Sequence, residues 1–295
     1  MRGLFYKEDY KEEFVKGSYK SVFDHNKNYV RIEPYPTLSE LEDFYEGSYF
    51  EEGFLVEHDY LDKELIYRAT YLGYISEIFK FLEPKNNLTI LEYGCGVGSF
   101  VRSLLVSDEN NKIGAIDGVD LSKKAVDLAS SHTQSERVNF YTLNNFDNKK
   151  KYALIAMLEV VEHIPHVEEI LKELSVSIET GGILFITTPN YNSFEQRVFK
   201  ESWRLFCPPE HINFFTKKTL ADLLLDCGWE VVKETDEFVF SFSLGIRKKL
   251  SKFMPFFLIR AIGWLKKILV YTVFNSILKF IGYEGGKMTM IAKKI

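Results

Sequence analysis

Apolar and polar positions alternate along this chain in two different rhythms. Between residues 88 and 232, short apolar runs with strand spacing are followed by stretches of helical spacing. LTILEY (88–93) predicts a strand, and 98–107 a helix. KIGAIDGVDL (112–121) contains a second strand, and SKKAVDLASSH (122–132) a helix capped by Ser122. VNFYTL (138–143) and YALIAML (152–158) are the third and fourth strands. HVEEILKELSVSI (166–178) is a helix stopped by Gly181-Gly182, followed by a fifth strand, ILFITTP (183–189). KKTLADLLLDC (217–227) is a helix ending before Gly228. WEVVKETDEFVF (229–240) holds a sixth strand, and KMTMIAKK (287–294) a seventh. Upstream, 62–82 has helical spacing, and 38–46 suits a short helix capped by Thr37 or Ser39. The rest of 1–60 reads as irregular. Strands that alternate with helices predict an α/β fold whose parallel sheet is covered on both faces.

Residues 238–283 break this rhythm. They carry eight Lys or Arg and no Asp or Glu, so the modest net charge of −5 conceals −13 on the remainder. Lys248, Lys249, Lys252, Arg260, Lys266 and Lys267 cluster on one side of a helical projection, among bulky apolar residues. Pro255 and Gly263 interrupt that phase. The longest uncharged run, 268–278, is too short to span a bilayer. Such a stretch suits an interface with anionic lipid. It suits equally a helical cap or a homodimer face. The boundaries follow: a lid or arm over 1–61, a core over 62–237, a basic apolar insertion over 238–283, and a last core strand within 284–295.

Composition adds little to this. At 46% hydrophobic and 27% charged, the 295 residues can bury a substantial core. The acidic balance argues against general nucleic-acid binding. Three scattered cysteines with no C-x-x-C pair predict neither disulfides nor a zinc site and fit a reducing cytosol. No metal is assigned. The charged N-terminal residues do not read as a signal peptide. A cytoplasmic location is expected, with peripheral contact on the inner membrane face if 245–283 meets lipid.

The candidate chemistry starts at LEYGCGVGSF (91–100). Gly94, Gly96 and Gly98 follow a strand and open a helix, where bare backbone allows close approach of a ligand. A dinucleotide fingerprint would need glycine at 99, which is Ser99. Pyrophosphate also gains nothing from Glu92 nearby, whereas an ammonium does. S-adenosylmethionine offers an ammonium, a sulfonium, a ribose and an adenine. Glu92 favours its positive end, and the helix starting near Gly98 favours its carboxylate. A carboxylate ending the second strand should hold the ribose. Asp120 fits, with Asp117 as its competitor. Leu121 then covers an adenine face. Asn144 and Asn145 either bond the adenine edge or form a turn.

These residues carry a resemblance. LEYGCGVGSF, GVDLSKKAVDLA, ALIAMLEVVEHI, GGILFITTPN and EHINFFTKKTLADLLLDCGWEVV resemble class I S-adenosylmethionine-dependent methyltransferases, the broad group of ubiquinone-biosynthesis and sugar O-methyltransferases. The resemblance covers about 88–232. It implies a doubly wound, Rossmann-like sheet of seven strands with the last antiparallel. It also places Tyr93 and Cys95 in the cofactor loop and Glu159 behind the fourth strand. Ala153 stands where many relatives have Asp.

Methyl transfer needs alignment and exclusion of water, and an alcohol acceptor benefits from a base. His163 in LEVVEHIP and His211 in CPPEHINFF are the candidates, each with a loop-fixing role as the competing reading. Glu159 lines the cofactor pocket or orients a histidine. LEDFYEGSYFEEG (41–53) resembles the lid segments of relatives. Its Tyr45, Tyr49 and Phe50 either close over the sulfonium or pack an aromatic arm. The expected acceptor is a hydroxyl on a sugar, glycan or lipid-linked molecule. A quinone-like phenol is the alternative, and a non-catalytic scaffold is disfavoured by the intact loop and Asp120.

Overall fold

In the computed structural model, which describes residues 14–47, 57–147, 149–237 and 276–295, the strand–helix alternation closes into one seven-stranded sheet. Its strands are β4 (Leu88–Tyr93), β5 (Ile113–Asp120), β6 (Val138–Thr142), β7 (Tyr152–Leu158), β8 (Ile178–Pro189), β10 (Trp229–Glu237) and β11 (Lys287–Lys294). They lie in the order β10-β11-β8-β7-β4-β5-β6. β11 runs antiparallel to both neighbours, and the other pairs are parallel. The order reverses at β4, which has β5 on one side and β7 on the other. The carboxyl ends of these three strands therefore open a crevice, the usual ligand position in such sheets.

β7 shows why the sequence makes this sheet. Its Leu154, Ile155, Ala156 and Met157 are fully buried, as a central strand covered on both faces requires. On one face Leu171, Leu174, Leu220 and Leu224 of α5 (Val167–Ser177) and α7 (Lys217–Asp226) pack against it with Trp229. The Trp229 indole N–H donates to the Leu171 carbonyl at 2.9 Å. On the other face α2 (Glu57–Ile78) and α3 (Ser99–Ser107) contribute Ile75, Ile78, Phe100 and Leu104. Each such side chain adds about 1.5–3 kcal/mol on burial. α4 (Lys123–His132) is capped by Ser122 as expected, and α1 (Leu38–Glu46) by a Thr37–Glu40 capping box.

Four features depart from the pattern reading. Residues 14–33 are not an irregular arm. They form β1 (Val15–Lys16), β2 (Tyr19–Asp24) and β3 (Tyr29–Glu33), which join β9 (Asn213–Phe214) in a second sheet. Phe14, Ile32, Trp203, Phe206 and Phe214 fill its core. The pairing Val30↔Phe214 spans most of the chain, so local alternation could not announce it. Second, the helix read over 62–82 runs as α2 from Glu57 to Ile78. Third, Gly181 and Gly182 do not stop α5. They lie inside β8, where pairing jumps from Tyr152↔Ile178 to Leu154↔Ile183 and Gly181 takes φ +76°. A short helix, α6 (Phe194–Phe199), was also unannounced.

The basic stretch lies mostly outside the described residues. Its described end, 276–283, buries Leu278 and leaves Ile277, Phe280 and Ile281 exposed. Among the described residues, no helix is long and apolar enough to cross a membrane.

Candidate active site

The glycine loop does what its composition predicts. Gly94, Gly96 and Gly98 all take left-handed backbone between β4 and α3. At Gly94 a Cβ would stand 2.4 Å from Val160, so that position needs glycine for packing. At Gly96 a Cβ would meet nothing within 4 Å. That open space, beside the start of α3, is where a ligand can approach the backbone. The loop is tied to β5 by the N–H groups of Gly94 and Cys95, which both donate to the Val119 carbonyl. Cys95 is buried, which raises its thiol pKa and removes it as a nucleophile. Tyr93 packs into the core, its hydroxyl pushed up to about 12 by burial.

Asp120 ends β5 with its carboxylate turned to this loop. Oδ2 accepts the Gly96 N–H at 2.8 Å, and Oδ1 accepts the Ser122 N–H at 2.9 Å. Asp117 is differently employed. It is buried and accepts from Lys150 Nζ and the Tyr152 hydroxyl, both at 2.8 Å. That places Asp120, and not Asp117, in the crevice. Leu121 follows it, half-buried, while Asn144 and Asn145 sit exposed on a 3-10 turn after β6.

Glu92 is 3% exposed, and its Oε2 has no hydrogen-bond partner. Burial, with Asp120 adding to it, pushes the carboxyl well above its usual range, against the Val101 N–H that favours the charged form. A buried, unpartnered carboxyl oxygen beside a bare glycine loop suits an ammonium group. These residues fit S-adenosylmethionine.

A second cluster gathers at the carboxyl end of β7. Glu159 takes φ +56° and donates its N–H to the Thr187 carbonyl. Its Oε1 accepts from the Thr187 hydroxyl at 2.7 Å and pairs with Lys287 Nζ at 3.0 Å. Burial pulls the Lys287 ammonium down, but Glu159 outweighs it and the lysine stays charged. Lys287 comes from β11, and its place was not legible in the sequence.

Glu162 is 1% exposed. Its Oε2 accepts from the Thr188 hydroxyl at 2.9 Å, and its Oε1 has no hydrogen-bond partner. Burial and then the charge of Glu159 raise its pKa strongly. Beside it the two candidate histidines meet, with ring centroids 4.7 Å apart. His163 Nδ1 donates to the Glu210 carbonyl at 2.7 Å, and His211 Nδ1 to the Leu205 carbonyl at 2.7 Å. These bonds leave both Nε2 atoms as acceptors. Burial, and for His163 also the neighbouring His211, lowers the pair to about 3 and about 4. Both are neutral at ordinary pH. One ligand atom from each of Glu162, His163 and His211 lies within 4.8 Å of the others, a spacing that can hold a metal ion. Sequence spacing missed this set because His211 arrives on the loop that leads into β9.

The Tyr45 hydroxyl of α1 lies 2.8 Å from His163 Nδ1. The expected lid residue thus packs on a histidine. Tyr49 and Phe50 lie outside the described residues.

The model of the methyltransferase-domain family matches residues 67–234, and the chain belongs to that family. It is an S-adenosylmethionine-dependent methyltransferase of class I, and S-adenosylmethionine is its cofactor. It is 27% identical over 182 residues to a ubiquinone biosynthesis O-methyltransferase of Pelagibacter ubique, covering 52% of this chain and 73% of the relative. It is 30% identical over 122 residues to the protein of that name from Coxiella burnetii, covering 38% of this chain and half the length of the relative. Among solved structures it resembles the magnesium protoporphyrin IX methyltransferase of Synechocystis with bound S-adenosylhomocysteine. That likeness has a TM-score of 0.53 at 13% identity, over 88% of this chain and all of the other. A possible histamine N-methyltransferase of Thermotoga maritima gives 0.51 at 19%, over 81% and 96%. These structural likenesses show the shared fold.

Two outcomes are expected. If Asp120 meets the ribose as the sequence leads one to expect, Asp120→Ala weakens S-adenosylhomocysteine by about 1.5–3 kcal/mol in calorimetric titration. Asp117→Ala leaves that affinity alone but costs about 1–3 kcal/mol of stability, because the Tyr152 hydroxyl loses its acceptor. The reverse assignment of effects would contradict the site. Glu92 gives a pH signature. Its raised pKa means that the folded ligand-free protein holds a proton the unfolded chain releases, so stability falls as pH rises above the ordinary carboxyl range. Glu92→Gln should therefore unfold at a higher temperature than the wild type at pH 8, without ligand, while binding S-adenosylmethionine more weakly. Equal melting of the two proteins from pH 5 to 8 would contradict it.

Proposed function

We propose that this protein transfers the methyl group of S-adenosylmethionine to a hydroxyl oxygen. The observation that carries this reading is the convergence of Glu162, His163 and His211 at the end of β7, beside the crevice that fits the cofactor. The sulfonium supplies the activated carbon. What the protein adds is an acceptor oxygen held in line and relieved of its proton.

The histidines can act there in two ways. As free bases they are weak, since burial leaves their conjugate acids near 3 and 4. As a donor set with Glu162 they suit a divalent cation, which the sequence reading did not assign. Both rings are fixed by Nδ1 bonds to backbone carbonyls, and Glu162 is held by Thr188 with one oxygen unpartnered. A divalent ion bound there would bring the ionisation of an acceptor hydroxyl toward neutral pH. The residues themselves orient the acceptor oxygen and, with Tyr45 over His163, shield it from water. The relatives' name, ubiquinone biosynthesis O-methyltransferase, supports O-methylation and a phenolic acceptor. A sugar hydroxyl is the other acceptor class.

His163→Ala and His211→Ala should each lower turnover roughly a hundredfold or more while sparing S-adenosylhomocysteine affinity. The assay is S-adenosylhomocysteine release with catechol or methyl glycosides as acceptor. Calorimetry with Mg²⁺, Mn²⁺ and Zn²⁺ should show one site that Glu162→Gln removes. Wild-type turnover in both histidine variants would overturn the reading. Full turnover after exhaustive chelation, with no ion bound, would return the histidines to the role of bases.

A further inference from the structure

Asn213 is an unusual residue for its place. It opens β9 and is 1% exposed. Its neighbours Ile212 and Phe214 pack into the core of the second sheet. Asparagine is disfavoured in strands, and a buried amide costs free energy unless its polar atoms are bonded. An apolar side chain would serve packing alone.

The bonds of Asn213 explain it. Oδ1 accepts the Tyr35 hydroxyl at 3.1 Å. Nδ2 donates to the Ile164 carbonyl at 2.9 Å and, more weakly, to the Val161 carbonyl at 3.5 Å. Carbonyls only accept, so the amide nitrogen must face these two residues and the oxygen must face Tyr35. The backbone strengthens the tie. The N–H groups of Ile212 and Asn213 both donate to the Glu162 carbonyl, at 2.9 and 3.0 Å. Three carbonyls of the loop after β7 are therefore held by one short stretch around β9.

The residues inside this tie are those of the histidine cluster. Glu162 and His163 lie between Val161 and Ile164, and His211 stands two positions before Asn213. Their ligand atoms meet within 4.8 Å only if the two loops keep one register. The imidazoles do little to fix that register. His211 Nδ1 donates to Leu205, on its own loop, and His163 Nδ1 crosses once, to Glu210. Tyr35 extends the tie to the N-terminal sheet. It follows β3, whose Arg31 pairs with Asn213 and whose Ile32 N–H donates to the Ile212 carbonyl at 3.0 Å.

We propose that Asn213 is a positioning residue for the reaction. It sets the separation of Glu162 and His163 from His211, and Tyr35 holds its amide in that orientation. The proposal rests on the reading of those three side chains as the reacting set and adds to it a residue that touches neither acceptor nor cofactor.

The test uses the full chain, well below the melting temperature of every variant. Diethyl pyrocarbonate labelling, mapped by mass spectrometry, reads access to His163 and His211, with exposed His132 as the internal standard. Calorimetry with Mn²⁺ reads the donor set, and with S-adenosylhomocysteine the cofactor site. Asn213→Ala should raise labelling of both buried histidines by about tenfold or more over His132, because labelling follows local opening. It should weaken Mn²⁺ by roughly ten- to a hundredfold, the range for residues that orient metal ligands. S-adenosylhomocysteine affinity should stay at the wild-type value. Tyr35→Phe should shift labelling and Mn²⁺ affinity the same way, by less. Ile78→Ala loosens the core on the opposite face of the main sheet and should shift neither. Should Asn213→Ala fail to fold, Asn213→Asp, which keeps the acceptor and loses both donors, takes its place.

Wild-type labelling in the Asn213 variant would overturn the proposal. So would equal labelling in Ile78→Ala, which would make the effect one of general loosening, or Mn²⁺ affinity that the Asn213 change leaves alone. A wild type that binds no Mn²⁺ would instead strike the metal reading of the donor set, and the labelling would still decide the role of Asn213.

Discussion

A single carboxylate joins the two halves of the cofactor crevice. Asp120 stands at the end of β5 and accepts the N–H of Gly96, on the loop that leaves β4. β4 and β5 are parallel neighbours, with β7 on the other side of β4 where strand order reverses, and beyond the two backbone bonds from Gly94 and Cys95 to the Val119 carbonyl the loop leaves the ladder. The left-handed glycines make the loop shapeable but also costly to order. A charge-assisted bond from Asp120, about 1.5–3 kcal/mol by the usual measure, offsets part of that cost. In the cofactor pose we propose, the ribose engages the same group that holds the ligand-free loop.

Around the crevice, charge is arranged by burial. Glu92 and Glu162 are nearly inaccessible and pushed toward their neutral forms, while Glu159 is matched by Lys287. His163 and His211 are neutral for the same reason. A site assembled this way carries little net charge before its ligands arrive and gains from cations that do. The cofactor, with its ammonium and sulfonium, is one such cation. An ion between Glu162 and the histidines would be another. Buried groups left without partners usually mark where something else is meant to bind.

The sequence reveals this site unevenly, and the reason is range. Gly94, Gly96, Gly98 and Asp120 sit in short, contiguous motifs, and strand-turn-helix geometry then places them without knowledge of the rest of the fold. Ser122 and Thr37 cap their helices by equally local rules. The second sheet depends on β3 meeting β9 across most of the chain. That contact delivers His211 to His163, and so the donor set with Glu162 escapes any reading of spacing. Lys287 is similar: it reaches Glu159 only because β11 returns antiparallel beside β8. Tyr45 reads from the sequence either as closing over the sulfonium or as packing an aromatic arm, and the structure sets its hydroxyl on His163. Nothing in an aromatic-rich segment specifies which ring meets which partner.

The account stands on how the crevice receives its nucleoside. The direct measurement is a crystal structure of the protein with S-adenosylhomocysteine. The ribose hydroxyls should lie against the Asp120 carboxylate, the amino-acid end over Gly96, and the ligand ammonium on the side of Glu92. A nucleoside bound with its ribose away from Asp120, or lodged outside the β4–β5 crevice, would contradict it.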